Sequence, residues 1–215
     1  MKRTFISRKG QEGFKMIEIL IVMALIAVLS AMSLPYILNY KKLYKSEDQA
    51  LKMMDLMREA NQLAMTRRKT IRLEIDLTDN AVLLIDEGPA PDQQLKKIPL
   101  EATKDIRVDQ IPSGLAKPNP PNYTDITFAT DSVGHNVGST TVTGHNIWKA
   151  RFKPDGSVVN AADVPISVNI YVWPPATAGS ATARANGEVR AITLFGGSGA
   201  VRYWRYNGSS FVPYV

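Results

Sequence analysis

The hydrophobic period of the chain changes along its length. Residues 19–38, ILIVMALIAVLSAMSLPYIL, are twenty consecutive positions without a charge, interrupted only by Ser30, Ser33 and Pro35. A run of that length crosses the ~30 Å hydrocarbon core of a bilayer as a helix. From Asn39 to Arg68 there is neither Pro nor Gly, and Ala50, Met53, Met54, Met57, Ala60 and Ala64 recur at three- and four-residue steps. This spacing predicts an amphipathic helix continuing from the apolar run. The opposite face carries Lys45, Asp48, Lys52, Asp55 and Glu59, with Asp48 and Lys52 set for an i,i+4 pair. A methionine-rich stripe can serve as a promiscuous groove; at helical spacing it reads as core.

At Thr70 the period becomes two. TIRLEIDL, residues 70–77, alternates strictly and predicts a half-buried strand, turned by Thr78-Asp79-Asn80 into a partner at 81–85. Prolines at 89, 91, 99, 112, 118, 120 and 121 mark a mostly looped stretch, with short strands near 96–100 and 105–111. Further strands are expected at 125–129, 147–152, 166–173, 189–195 and 200–206, with turns at Lys153-Pro154-Asp155-Gly156 and Gly196-Gly197-Ser198-Gly199. No second helical period follows. The pattern is α+β: a long N-terminal helix and an antiparallel sheet or sandwich. It divides the chain into a basic start, an apolar helix half that ends at residue 38, an amphipathic half at 39–68 and a β-rich head at 69–215.

Composition narrows the partners. The net charge is +6, but Lys2, Arg3, Arg8 and Lys9 against Glu12 place +3 of it in the first thirteen residues. A whole-chain argument for a polyanion partner is therefore weak, and any such case rests on local clustering. No cysteine is present, which excludes disulfides and thiolate chemistry. Outside the apolar run the chain has the polarity of a soluble domain, with a mean hydropathy of −0.12 overall.

A basic leader before an apolar stretch also marks a secretory signal peptide, and Ser30-Ala31-Met32 or Ala31-Met32-Ser33 offers a poor cleavage site. A plain signal anchor is the other competitor. Lys2, Arg3, Arg8, Lys9 and Lys15 precede the run and Lys41, Lys42 and Lys45 follow it, a bias that keeps the N-terminus in the cytoplasm.

Gly13-Phe14-Lys15-Met16-Ile17-Glu18, followed by the apolar run with Pro35 inside it, resembles the class III signal of type IV pilins and type II secretion pseudopilins. The resemblance implies a pilin-like fold and cleavage between Gly13 and Phe14 by a prepilin peptidase, which would N-methylate Phe14; residues 1–13 would then be a leader and 14–38 the membrane-spanning half of the helix. It makes Glu18 the fifth residue of the mature chain, where it would guide subunit assembly, and Pro35 the helix kink. The implied product is a minor pilin or pseudopilin, a structural subunit of a type IV pilus or type II secretion pseudopilus. Its partners would be other pilin or pseudopilin subunits, an inner-membrane assembly platform and membrane lipid. Its place would be the inner membrane, single-pass, with the head in the periplasm. Physical chemistry gives Glu18 a reason: an acid in the apolar part of a bilayer is costly without a partner, and cleavage creates a cationic amine on Phe14. Arg58-Glu59-Ala60-Asn61, the alternating strand, the Arg-Phe-Lys-Pro-Asp-Gly turn at 151–156 and the hairpin at Gly199 are similar in arrangement to the GspH/FimT group of minor pseudopilins.

Other motifs deflate. The 196–199 loop has no following helix and no Lys-Ser or Lys-Thr pair, so it is a turn and not a phosphate cradle. Ser198 is not on a nucleophile elbow. His135 and His145 lie in a Gly- and Thr-rich loop without ligands at metal spacing. The chain reads as a peptidase substrate, with no enzyme activity, cofactor or metal expected. One binding surface remains: Lys149, Arg151 and Lys153 share a face of one strand, and Arg202 and Arg205 sit among Tyr203, Trp204 and Tyr206. That mixture suits DNA phosphates and bases, and residues 146–215 hold seven cations against three acids. The competing reading is a solvated face over an aromatic core.

Overall fold

The computed structural model describes residues 16–89, 91–137 and 140–214, with the side chains of 34–43 and 132–141 outside that description. Helix α1 spans Met16–Arg67. Contacts divide the chain into two units, the first ending at Lys41 and the second covering Lys42–Val215.

In the second unit the predicted methionine stripe is core: Ala50, Met53, Met57, Ala60 and Ala64 are all buried. Lys52 reaches Asp48 at 2.6 Å, as the i,i+4 spacing requires. The helix stops without glycine. Arg68 takes a φ of 53°, and the Lys69 N–H donates to the Ala64 carbonyl at 3.2 Å, the six-to-one bond of a Schellman closure.

Twelve strands follow among the described residues. They are β1 (Ile71–Asp76), β2 (Ala81–Asp86), β3 (Gln93–Pro99), β4 (Arg107–Asp109), β5 (Thr124–Asp125), β6 (Ala129–Val137), β7 (Thr140–Phe152), β8 (Val158–Val159), β9 (Val168–Trp173), β10 (Arg190–Leu194), β11 (Val201–Tyr206) and β12 (Phe211–Pro213). One sheet has the order β3-β2-β1-β7-β6 with β8 on β7; the other runs β12-β11-β10-β9-β4 with β5 on β9. All pairings are antiparallel except β5 with β9. A single core takes the inner faces of both sheets and the helix stripe, with Leu73, Ala150, Phe152, Ile170, Ile192 and Tyr203 among its members. A second cluster, Tyr171, Trp173, Ala191, Trp204 and Tyr206, covers the other face of the second sheet beneath Ile111 and Leu115.

Several expectations need correction. The strand expected at 125–129 is split, because β5 belongs to the second sheet and β6 to the first. The chain changes sheets between them, and Ile126 is buried in the core at that crossing. The Gly- and Thr-rich stretch around the histidines is a hairpin and not a loop: β6 and β7 pair from Ala129↔Ile147 to Val137↔Thr140. Thr and Val favour strands there, but their alternation is too polar to announce a buried face. β8 and β12 were missed as too short for a periodic signal. Finally, β1 is not half-solvated. Its polar residues Glu74 and Asp76 are buried, as are Ala81, Leu83 and Ile85 on the same face of β2. β6, at one edge of the sheet, also comes against β3 at the other, so the sheet curls and encloses that face.

Candidate functional site

The N-terminal candidates come first. Gly13 and Phe14 lie outside the described residues, as does the side chain of Pro35, whose backbone is helical. Glu18 falls in the first turn of α1. Met16–Ser33 is long and apolar enough to cross a membrane, with a mean hydropathy of 2.4 and none of it buried within the protein. Ile19, Leu20, Ile21, Leu25, Ile26 and Leu29 all present more than half their surface. A continuous apolar surface of this extent is suited to a membrane or a protein contact.

The five cations of the proposed DNA surface do not form one face. Lys149 and Arg151 lie opposite Glu74 and Arg72 on β1 and are held by carboxylates. Lys149 reaches Asp131 at 2.8 Å. Arg151 reaches Glu87 at 2.7 Å and Asp163 at 2.8 Å, and Lys153 meets the same Asp163 at 2.8 Å. Arg72 sits beneath them, bound to Glu74 at 2.8 Å, to Asp92 at 2.8 Å and to Glu87. Burial works to lower the Arg72 pKa, but the Asp92 hydrogen bond and the charges of Glu74 and Glu87 outweigh it and hold the guanidinium above its ordinary value. The Lys153 hydrogen bond holds Asp163 below the usual carboxylate range. These charges are committed to one another.

Arg202 and Arg205 are on the other sheet. Arg202 pairs in register with Thr193 and Arg205 with Arg190. Three residues apart on a strand, they point to opposite faces. Arg202 lies over the Trp204 ring at 5.5 Å, beside a shallow groove with Tyr123 and Phe195; Arg205 is exposed on the side that faces the core further along the strand.

Two buried polar nodes escaped the sequence reading. Arg190 is fully buried; its guanidinium donates to the carbonyls of Gly187 at 2.7 Å and Val189 at 3.1 Å and to Glu47 of α1 at 3.3 Å. With Ser46 Oγ donating to the Glu188 carbonyl at 3.2 Å, it ties the second sheet to the helix. A lone cation inside the apolar run 189–195 was the available signal. Tyr203 lies nearby, and burial pushes its phenol up to about 12 despite the opposing charge of Arg190.

The second node joins residues 69 positions apart: His145 Nδ1 lies 2.7 Å from Asp76 Oδ2. Asp76 Oδ1 accepts from the Thr78 and Asp79 N–H groups at 2.8 and 3.1 Å. With Asp79 these make a group of three possible metal-ligand side chains among the described residues. Both Asp76 oxygens already have partners, so the β1–β2 turn and the β6–β7 hairpin account for the cluster. The His135 side chain lies outside the described residues.

Comparison with protein-family models, with curated proteins and with solved structures found no match. What the geometry defines is an α+β chain with one N-terminal helix segment suited to a membrane.

Proposed function

We propose that the chain is the precursor of a minor pilin or pseudopilin, a structural subunit cut after Gly13, N-methylated on Phe14 and assembled through its N-terminal helix. The observation that carries this reading is the conjunction of Gly13-Phe14 and Glu18 with an adjoining helix segment, Met16–Ser33, whose apolar side chains are left exposed. Removal of the leader would put a cationic amine four residues from Glu18. A neighbouring subunit's Glu18 can pair with that amine, setting the register in which the helices pack in the bilayer and the filament. The basic flank places the N-terminus in the cytoplasm and the head across the inner membrane. The head's buried polar groups pin loops and helix together.

Capture of DNA by the head is the less supported reading, because three of its five cations are engaged by carboxylates and the other two point to opposite faces of β11. The deciding experiment is mass spectrometry of the mature N-terminus in the native host. The expected species begins at Phe14 and carries one added methyl group. Retention of Met1, or a cut beyond residue 30, overturns the reading.

A further inference from the structure

The sequence holds two Asn-Gly pairs, Asn186-Gly187 and Asn207-Gly208, and all four residues are exposed. In such a pair the backbone nitrogen of the glycine can close a five-membered ring on the asparagine side-chain amide, because glycine brings no side chain to crowd the approach. The fold treats the two pairs differently. Asn186 opens the short 3-10 helix Asn186–Glu188, and its carbonyl accepts the Val189 N–H at 3.1 Å. That bond pins the peptide unit between Asn186 and Gly187. Among the described residues the Asn186 side-chain amide has no hydrogen-bond partner.

Asn207 begins the turn between β11 and β12. Its N–H donates to the Ser210 carbonyl at 3.0 Å, which closes the turn. Among the described residues neither the Asn207 carbonyl nor the Gly208 N–H is bonded, so the peptide unit that must rotate to bring nitrogen onto Cγ is free at both ends. The side-chain oxygen is held instead. Asn207 Oδ1 accepts the Ser209 N–H at 2.9 Å, the Ser209 hydroxyl at 3.0 Å and the Ser210 N–H at 2.9 Å. Backbone donors fix that atom as oxygen. Three donors on one carbonyl oxygen draw charge from Cγ, and they stand where negative charge collects when a nucleophile adds to it.

We propose that Asn207 is a site of self-catalysed deamidation, and that the fold directs this modification to Asn207 over Asn186. Hydroxide takes the Gly208 amide proton and the nitrogen bonds to Asn207 Cγ. The Cγ–Nδ2 bond then breaks, and the departing nitrogen takes a proton from water and leaves as ammonia. Water opens the cyclic imide in one of two ways. Cleavage of the new bond to Cγ gives aspartate; cleavage of the original main-chain bond gives isoaspartate, in which the chain runs through Cγ. Both products add a negative charge. Isoaspartate also lengthens the turn that sets Phe211 of β12 against Tyr206 and Tyr171. The site lies within Lys42–Val215 and does not depend on the leader, the membrane segment or filament assembly.

The test incubates the full chain in detergent micelles, in mildly alkaline buffer made with oxygen-18 water, followed by trypsin and mass spectrometry. Trypsin cuts after Arg184, Arg190 and Arg205, so the two sites fall on separate peptides. The peptide with residue 207 should exchange its amide nitrogen for heavy oxygen about ten times faster than the peptide with residue 186, a smaller margin than in a water-excluded enzyme site because the turn is open to solvent. Ser209→Ala, which removes one of the three donors at an exposed position, should slow the reaction about threefold, the loss of one solvent-exposed hydrogen bond. In urea that unfolds the head, the two sites should react at similar rates. The proposal is overturned by any of three results: a rate at Asn207 no higher than at Asn186 in the folded chain, a preference that survives in urea, or an undiminished rate in folded Ser209→Ala. The comparison with urea needs no variant, so it decides even where Ser209→Ala disturbs the fold.

Discussion

Gly196 sits where a side chain cannot. A Cβ there would lie 2.3 Å from the Ile166 carbonyl oxygen, and the Gly196 carbonyl itself accepts the Val158 N–H at 2.7 Å. Backbone meets backbone, so neither can yield cheaply. Gly196→Ala should cost about 3 kcal/mol in urea unfolding, in the range of overpacked or strained sites. Gly187→Ala, with nothing near its Cβ position, should stay within about 0.5 kcal/mol. Equal effects at the two positions would contradict the packing described. Tyr203 makes a second residue-scale case. Burial raises its phenol to about 12, so the neutral form is favoured in the folded chain. The associated stability is present below the ordinary tyrosine value near ~10 and is lost as the pH climbs toward ~12. Tyr203→Phe should therefore flatten the fall in melting temperature over that window, because the phenol that ionises there is gone.

At the scale of elements, strand alternation sets which side chains share a face but not what lies opposite them. Trp148, Ala150 and Phe152 face the core as their spacing demands. The same parity, applied to Arg202 and Arg205, would have separated them at once. What spacing could not provide was the set of acids that meet the β7 cations. Glu87 lies on the link after β2 and Asp163 in the turn after β8, brought together only by sheet order. Asp163 adopts a φ of 59°, which Asn tolerates well, so Asp163→Asn tests its charge without straining its backbone. Because the folded-state carboxyl is held low by Lys153, its contribution is present above the ordinary carboxylate value of about 4 and lost as the pH falls below it. The wild type should melt above Asp163→Asn at pH 7, and the gap should close on acidification through pH 4 to 2.

For the whole molecule, the decisive prediction concerns Glu18. Glu18→Lys should leave cleavage after Gly13 intact, read by the mass of the processed chain, and abolish recovery of the subunit in sheared filaments. Loss of cleavage would move Glu18 from assembly to peptidase recognition; normal incorporation would remove it from both. The helix, its core stripe and most strands were legible along the chain, because each depends on neighbours one to four residues away or on composition over about twenty. The enclosed face of the first sheet, the burial of Glu74, Asp76 and Arg190 and the carboxylates that occupy the β7 cations were not. Each depends on which distant strands become neighbours, and burial or pairing of a charge is settled only when a second element closes over it. Local pattern determined the elements and an N-terminal helix segment long and apolar enough to cross a membrane; tertiary contact decided which polar groups are buried and which charges are already paired.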